Sequence, residues 1–213
     1  MSDIKKNIET IQNIISEYKR PITLIGVTKN QPLEKIKEAM DAGLTHFGEN
    51  YAQEFLEKWK PGDDIQWHFI GHLQTNKVKY IIDKVASIQS VDSLKLFQTI
   101  HKEVQKINRV ISVFIEVNIG EEPSKSGVLP QNLSSFLTTL PKSPYIEVVG
   151  LMTIPPHQED PEKMRPYFKK IAALQKETQL KELSMGMSHD FKIALEEGAT
   201  YIRIGEAIFG KRL

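Results

Sequence analysis

One pattern constrains this chain more than any other: short apolar segments alternate eight times with longer stretches of amphipathic, helix-spaced residues. Strands are expected at 22–28, 45–48, 66–70, 86–89, 110–118, 146–151, 183–185 and 201–204. Helices are expected between them at 32–42, 51–58, 75–84, 93–107, 131–140, 161–178 and 189–197. Pro32 and Pro161 suit a first helical turn, and Gly43 and Gly198 stand where helices should stop. Strands joined by helical crossovers run parallel, because each crossover returns the chain to the same end of the sheet. Eight such units in 213 residues predict an α/β fold of the (β/α)8 TIM-barrel type, near the short end of its range. An open doubly wound sheet is the alternative, disfavoured because no Gly-x-Gly-x-x-Gly follows the first strand. Ahead of the first strand, Ile4, Ile8, Ile11, Ile15 and Tyr18 recur at helical spacing, which adds an N-terminal helix. No linker or low-complexity segment interrupts the series, so a single domain over 1–213 is expected.

Composition excludes several classes of function. The 28 Lys and Arg balance the 27 Asp and Glu to a net charge of +1, so neither nucleic acid nor a membrane surface is an expected partner. With no cysteine, the chain has no disulfide, no thiolate metal site and no cysteine nucleophile. Residues 1–20 lack the continuous apolar run of a signal peptide, and no segment is long enough to span a bilayer, so a cytoplasmic protein is expected. His68 and His72 are four residues apart, but the intervening residues read as strand and turn and no third ligand has zinc-like spacing. His46 and His68 read as satisfied interior residues.

Chemistry in a (β/α)8 barrel collects at the C-terminal ends of the strands. Those ends carry Lys29, Gly48-Glu49-Asn50, Gly71-His72, Ser90, Asn118, Met152, Met185 to Ser188, and Arg203 with Gly205. Strand alternation puts Ile25, Val27 and Lys29 on one face, and separates Ile202 and Ile204 from Tyr201 and Arg203. The isoleucines suit packing against helices, which turns Arg203 into the barrel. A buried arginine needs acceptors: either a ligand or a strand-end glutamate, Glu49 or Glu116. Ser188 is placed to cap the helix expected from 189, and helix N-termini bind phosphate. Gly205-Glu206-Ala207 offers a second turn where backbone can approach an anion. A lysine amine beside a phosphate cradle predicts Schiff-base chemistry with a phosphorylated aldehyde, pyridoxal 5'-phosphate (PLP) being the obvious candidate.

The same residues carry a resemblance. Gly26-Val27-Thr28-Lys29, Gly48-Glu49-Asn50-Tyr51-Ala52-Gln53-Glu54 and Trp67 through Lys77 are the first three matching blocks. Val117-Asn118, Lys125-Ser126-Gly127, Gly150-Leu151-Met152, Leu183 through Ser188, Arg203-Ile204-Gly205 and Ala207 through Gly210 complete them. In these blocks the chain resembles the PLP homeostasis protein family, single-domain barrels similar to the N-terminal domain of alanine racemase (PLP fold type III). The resemblance implies that Lys29 is the Schiff-base lysine and that Asn50 lies beside the cofactor. It implies that Arg203 faces the pyridine nitrogen, and that Ser188, Gly205 and the neighbouring backbone, with Met187 and Glu206 at the same turns, hold the phosphate. Two positions depart from the pattern. Many relatives carry Thr or Ser where Glu206 stands, which leaves backbone amides to bind there with the carboxylate turned away. Some carry a second lysine at the position of Gln31, so a relay role for that lysine does not carry over.

The expected function is intracellular PLP homeostasis, holding the cofactor and buffering it or delivering it to apo PLP-dependent enzymes, as a monomer and without substantial turnover. A PLP-dependent amino-acid racemase is the alternative, and a lysine Schiff-base aldolase is a more remote one. Racemisation needs a base on each face of the substrate carbon. In alanine racemase the second is a tyrosine from a separate C-terminal domain, for which the sequence after 210 leaves no length. Tyr18, Tyr51, Tyr80, Tyr145 and Tyr167 fall in or beside expected helices or before a strand, and Tyr201 lies within the last strand.

Overall fold

In the computed structural model, which describes residues 3–210, helix α1 (Asp3–Ser16) precedes β1 (Thr23–Val27), α2 (Leu33–Asp41), β2 (His46–Glu49), α3 (Ala52–Lys58) and β3 (Gln66–Phe69). Then follow α4 (Val78–Ile81), β4 (Ser87–Val91), α5 (Leu94–Lys106), β5 (Ile111–Glu116), α6 (Leu133–Thr139) and β6 (Ile146–Met152). The chain continues through α7 (Arg165–Thr178), β7 (Glu182–Ser184), α8 (Phe191–Glu196), β8 (Tyr201–Ile204) and α9 (Glu206–Phe209). The eight strands form a closed parallel barrel in sequence order. Closure is made by β1 and β8, whose register runs from Thr23↔Tyr201 to Gly26↔Ile204. The (β/α)8 architecture and the additional N-terminal helix are as the alternation predicts, and each strand end falls within two residues of its expected place.

The helices depart more, for local reasons. The expected helix at 75–84 is a 3₁₀ turn, Thr75–Lys77, followed by one α-helical turn, which ends where the amides of Lys84 and Val85 both bond to the Ile81 carbonyl. The 131–140 helix opens as a 3₁₀ turn at Pro130–Asn132, and the 161–178 helix as one at Pro161–Met164 with Asp160 accepting from the Glu162 amide. Strand β5 stops at Glu116, beyond which Val117 makes a single parallel bridge to Val128. The helix α9 was not expected; at four residues it is too short for periodicity to show. Its last carbonyls are held from other elements: Asn7 donates to the Ile208 carbonyl at 3.0 Å and Lys35 to that of Phe209 at 2.8 Å. Among the described residues no helix is long and apolar enough to cross a membrane.

Alternation along each strand sorts the side chains into two layers. Outward-facing Leu24, Phe47, Trp67, Phe69, Ile88, Val113, Ile115, Leu183, Ile202 and Ile204 pack with helix residues such as Phe55, Phe97, Ile100 and Phe168 in one continuous apolar core. Inside the barrel, Ile25 and Phe114 share the space with polar side chains. His46 Nδ1 lies 2.9 Å from His68 Nε2, and His68 Nδ1 lies 2.7 Å from Ser87 Oγ. Tyr201 packs edge-on against both His68 and Phe114, with centroids 6.1 and 5.1 Å apart. The histidines are thus satisfied interior residues. Among the described residues no group of three or more His, Asp or Glu is placed to hold a metal ion.

Burial, with His46 beside it, pushes the His68 imidazole from its ordinary 6.5 down to about 3. The unfolded chain therefore binds a proton at His68 that the folded protein does not, and stability present above pH 6.5 is lost as the pH falls toward about 3. The loss amounts to at most about 5 kcal/mol. Denaturation midpoints measured between pH 7.5 and 4 should fall on acidification, and His68→Gln, which does not titrate, should flatten that fall.

Candidate functional site

The C-terminal rim of the barrel is built from loops whose first residues continue the inward face of each strand. On β1 that face runs Ile25, Val27, Lys29, which carries the Lys29 amine to the mouth, half-buried, with its Nζ 5.1 Å from the centroid of the Tyr51 ring. Asn50, which follows β2 and continues its inward face, lines a cavity of 640 Å³ together with Tyr51, Gly71, His72, Gln74 and Lys77. Tyr51 is 53% exposed and was not expected at the mouth; its place beside Lys29 follows from β1–β2 pairing, where Val27 opposes Gly48. Farther round the rim, His72 Nδ1 lies 3.8 Å from Asp92 Oδ2.

The two turns after β7 and β8 meet, but not through a capped helix. The helix expected from 189 begins at Phe191, and Ser188 does not cap it. Asp190 closes that turn instead, accepting from the Met187 amide at 2.6 Å. Freed from capping, the Ser188 hydroxyl accepts from the Ala207 amide at 3.1 Å, which ties the β7 turn to the first turn after β8. Gly205 continues the inward face of β8. A Cβ there would meet only Val27, at an ordinary 3.5 Å, so glycine at this position is not demanded by packing and leaves open room at the mouth. Glu206 is exposed, as is Met187.

Arg203 faces into the barrel and is only 3% exposed. Neither expected glutamate pairs with it. Glu49 is the last residue of β2 on the outward face, where it bonds to Lys58 of α3. Glu116 accepts from Ser126 at 3.2 Å, its other oxygen is buried without a partner, and burial raises its pKa. The guanidinium instead donates to Ser184 Oγ at 2.6 Å and to the Thr153 carbonyl at 2.8 Å, while Ser184 in turn donates to Gln89 Oε1 at 2.7 Å. Desolvation pushes Arg203 down to about 10, still charged at neutral pH. The run Ser184 to Ser188 reads in the sequence as an anion cradle, but Ser184 is instead a partner of Arg203, and Gln89 was not foreseen; both lie on inward-facing strand positions, where parity marks them. One rim thus combines a primary amine able to attack a carbonyl, two joined turns with open backbone beside Gly205, and a buried, donor-only cation.

Comparison with known proteins identifies the family. The model of the alanine racemase N-terminal domain matches residues 1–212. The PLP homeostasis protein of Aquifex aeolicus is 49% identical over 197 residues, covering 89% of this chain and 86% of the relative. The structure of PipY from Synechococcus elongatus with PLP bound superposes with a TM-score of 0.88 at 32% identity, covering 97% of this chain and all of that one. An alanine racemase of Clostridium difficile shares the fold at 17% identity and a TM-score of 0.75, with this chain covering 57% of its length. The chain belongs to the PLP homeostasis proteins, a family built on the alanine racemase N-terminal barrel.

Arg203 is a buried charge whose hydrogen bonds go to neutral acceptors, while the carboxylates of Asp190 and Glu116 offset part of its desolvation from a distance. Arg203→Met keeps the volume and removes the charge. That change leaves the Ser184 hydroxyl and the Thr153 carbonyl without their donor, so it should lower the thermal midpoint of the ligand-free protein by a few degrees, corresponding to about 1–3 kcal/mol, measured by thermal denaturation in phosphate-free buffer.

Proposed function

We propose that this protein binds PLP at the rim formed by β1, β2, β7 and β8, and that it serves intracellular PLP homeostasis by buffering the cofactor or delivering it. The observation that carries this reading is the convergence of the Lys29 amine, the Ser188–Ala207 bridge, Gly205 and Arg203 on one rim of a barrel whose family includes a PLP-bound structure. When bound, PLP supplies an aldehyde that condenses with amines and a ring that withdraws electrons. Lys29 is the attachment point. The Ser188 hydroxyl and the backbone at Gly205 and Glu206 hold the phosphate, with Met187 at the same turn, the Glu206 side chain turned to solvent and Asn50 beside the ring. Arg203 offers only N–H donors and so holds a ring nitrogen in its unprotonated, accepting form, which weakens the ring as an electron sink.

The residue set supports binding more than turnover. Tyr51 packs on the Lys29 amine rather than across the mouth from it, so it does not furnish a base on the opposite face. Met187, Ser188 and Lys29 keep part of their surface in solvent, which suits exchange with apo PLP-dependent enzymes. The working unit is a cytoplasmic monomer formed by one domain over 1–213.

Borohydride reduction of PLP-loaded protein followed by peptide mass mapping should place the pyridoxyl group on Lys29. Full loading of Lys29→Ala, with the label on Lys77 or Lys125, would move the site elsewhere. Turnover is checked separately by incubating the loaded protein with L-alanine in deuterated water. No multiple-turnover deuterium incorporation or D-isomer is expected; rapid incorporation that disappears in Lys29→Ala would establish an enzyme.

A further inference from the structure

Behind the Lys29 loop, on the face turned away from the mouth, lies a buried ionic cluster that the reading above does not use. Lys58, the last residue of α3, is 8% exposed, and Glu49, the last of β2, is fully buried. The Lys58 ammonium has three N–H donors. They go to three acceptors, each at 2.6 Å: the Thr28 carbonyl, Glu49 Oε1 and Glu54 Oε1. The two carboxylates pass the connection on. Glu49 Oε1 also accepts from the Thr28 hydroxyl at 2.8 Å, and its Oε2 accepts from the Asn50 amide at 2.8 Å. Glu54 Oε1 accepts from the Asn30 amide at 2.6 Å, and Asn30 is held in the left-handed region at φ 57°. The backbone is therefore gripped on both sides of Lys29, at the Thr28 carbonyl and the Asn30 amide, and again at Asn50.

This arrangement is expensive as a device for stability alone, since a buried ion pair roughly breaks even against apolar packing. What it supplies is direction. Residues 28–30 leave the barrel in a turn with Asn30 in the left-handed region, closed by the Gln31 amide on the Thr28 carbonyl and held from outside by Glu54. The direction of that turn decides where the Lys29 side chain points. We propose that Lys58, acting through Glu49 and Glu54, is a positioning residue that aims the Lys29 amine into the mouth. The proposal rests on Lys29 being the attachment point.

Two variants loosen the clamp without stranding a buried charge. Glu54→Ala removes the tie to Asn30 and leaves the Lys58–Glu49 pair; the double variant Lys58→Met/Glu49→Gln removes both charges of that pair together. The rate of PLP attachment, followed by absorbance and by borohydride trapping at Lys29, should fall on the order of 10- to 100-fold in both, as for a reacting group misplaced by about 1 Å. Binding of pyridoxine 5'-phosphate, which has the ring and phosphate but no aldehyde, should stay within about twofold of the unmutated protein, because Ser188 and Gly205 lie outside the cluster. Lys58→Arg, which keeps the charge and the donors, should recover part of the rate. Attachment at the unmutated rate in either folded variant overturns the proposal. Equal weakening of pyridoxine 5'-phosphate together with a lowered thermal midpoint also overturns it, marking general damage to the rim. Absence of the label from Lys29 in the unmutated protein overturns the attachment reading itself, and the clamp with it.

Discussion

Hydrogen bonding between β1 and β8 is the interaction on which the site depends. The pairing of Ile25 with Arg203 and of Gly26 with Ile204 brings the first and the last strands of the barrel into a single seam. Lys29 continues one strand of that seam, and Gly205 continues the other. Neither segment carries a site alone: a strand-end lysine is an ordinary solvated residue, and a glycine turn is an ordinary turn. Closure of the sheet makes them neighbours, and the Ser188–Ala207 bond adds the β7 turn to the same edge.

The barrel interior shows how polarity is tolerated where water is excluded. Ser87, His68 and His46 form one chain of hydrogen bonds, and Gln89, Ser184 and Arg203 form another. Each side chain is partnered along its row, yet Gln89 Nε2 and Ser90 Oγ are buried without partners. Buried polar atoms left unpaired are costly. The interior thus departs from maximum stability on the side that leads to the mouth, while the outer layer between strands and helices is almost entirely apolar.

Fold class was legible because its signal is repeated: eight apolar segments err independently, and the alternation survives misplaced ends. Lys29 and Arg203 were legible from parity, since a two-residue period fixes which face a strand-end residue joins. Parity also contained the answer for Glu49, which sits one residue before inward Asn50 and so belongs to the helix side; grouping Gly48-Glu49-Asn50 as one polar edge obscured it. Ser188 was misassigned because a serine before a helical pattern reads as a cap, whereas here Asp190 answers the local amide and Ser188 serves a turn distant in sequence. The Lys58 cluster escaped altogether. Lys58 and Glu54 read as an i,i+4 surface pair, and nothing local indicates that the amine folds back beneath the next strand over.

The attachment of α9 to the opposite end of the chain has a consequence in time. Asn7 and Lys35 hold the carbonyls of Ile208 and Phe209, and β1 takes half of its strand pairing from residues 201–204. A chain emerging from the ribosome presents its first strand long before the partner that completes it exists, so one edge of β1 stays open through nearly all of synthesis. The seam can close only after the last strand has been made. Lys29, among the earliest residues translated, therefore meets Tyr51 early in synthesis and the turn at Gly205 only at its end.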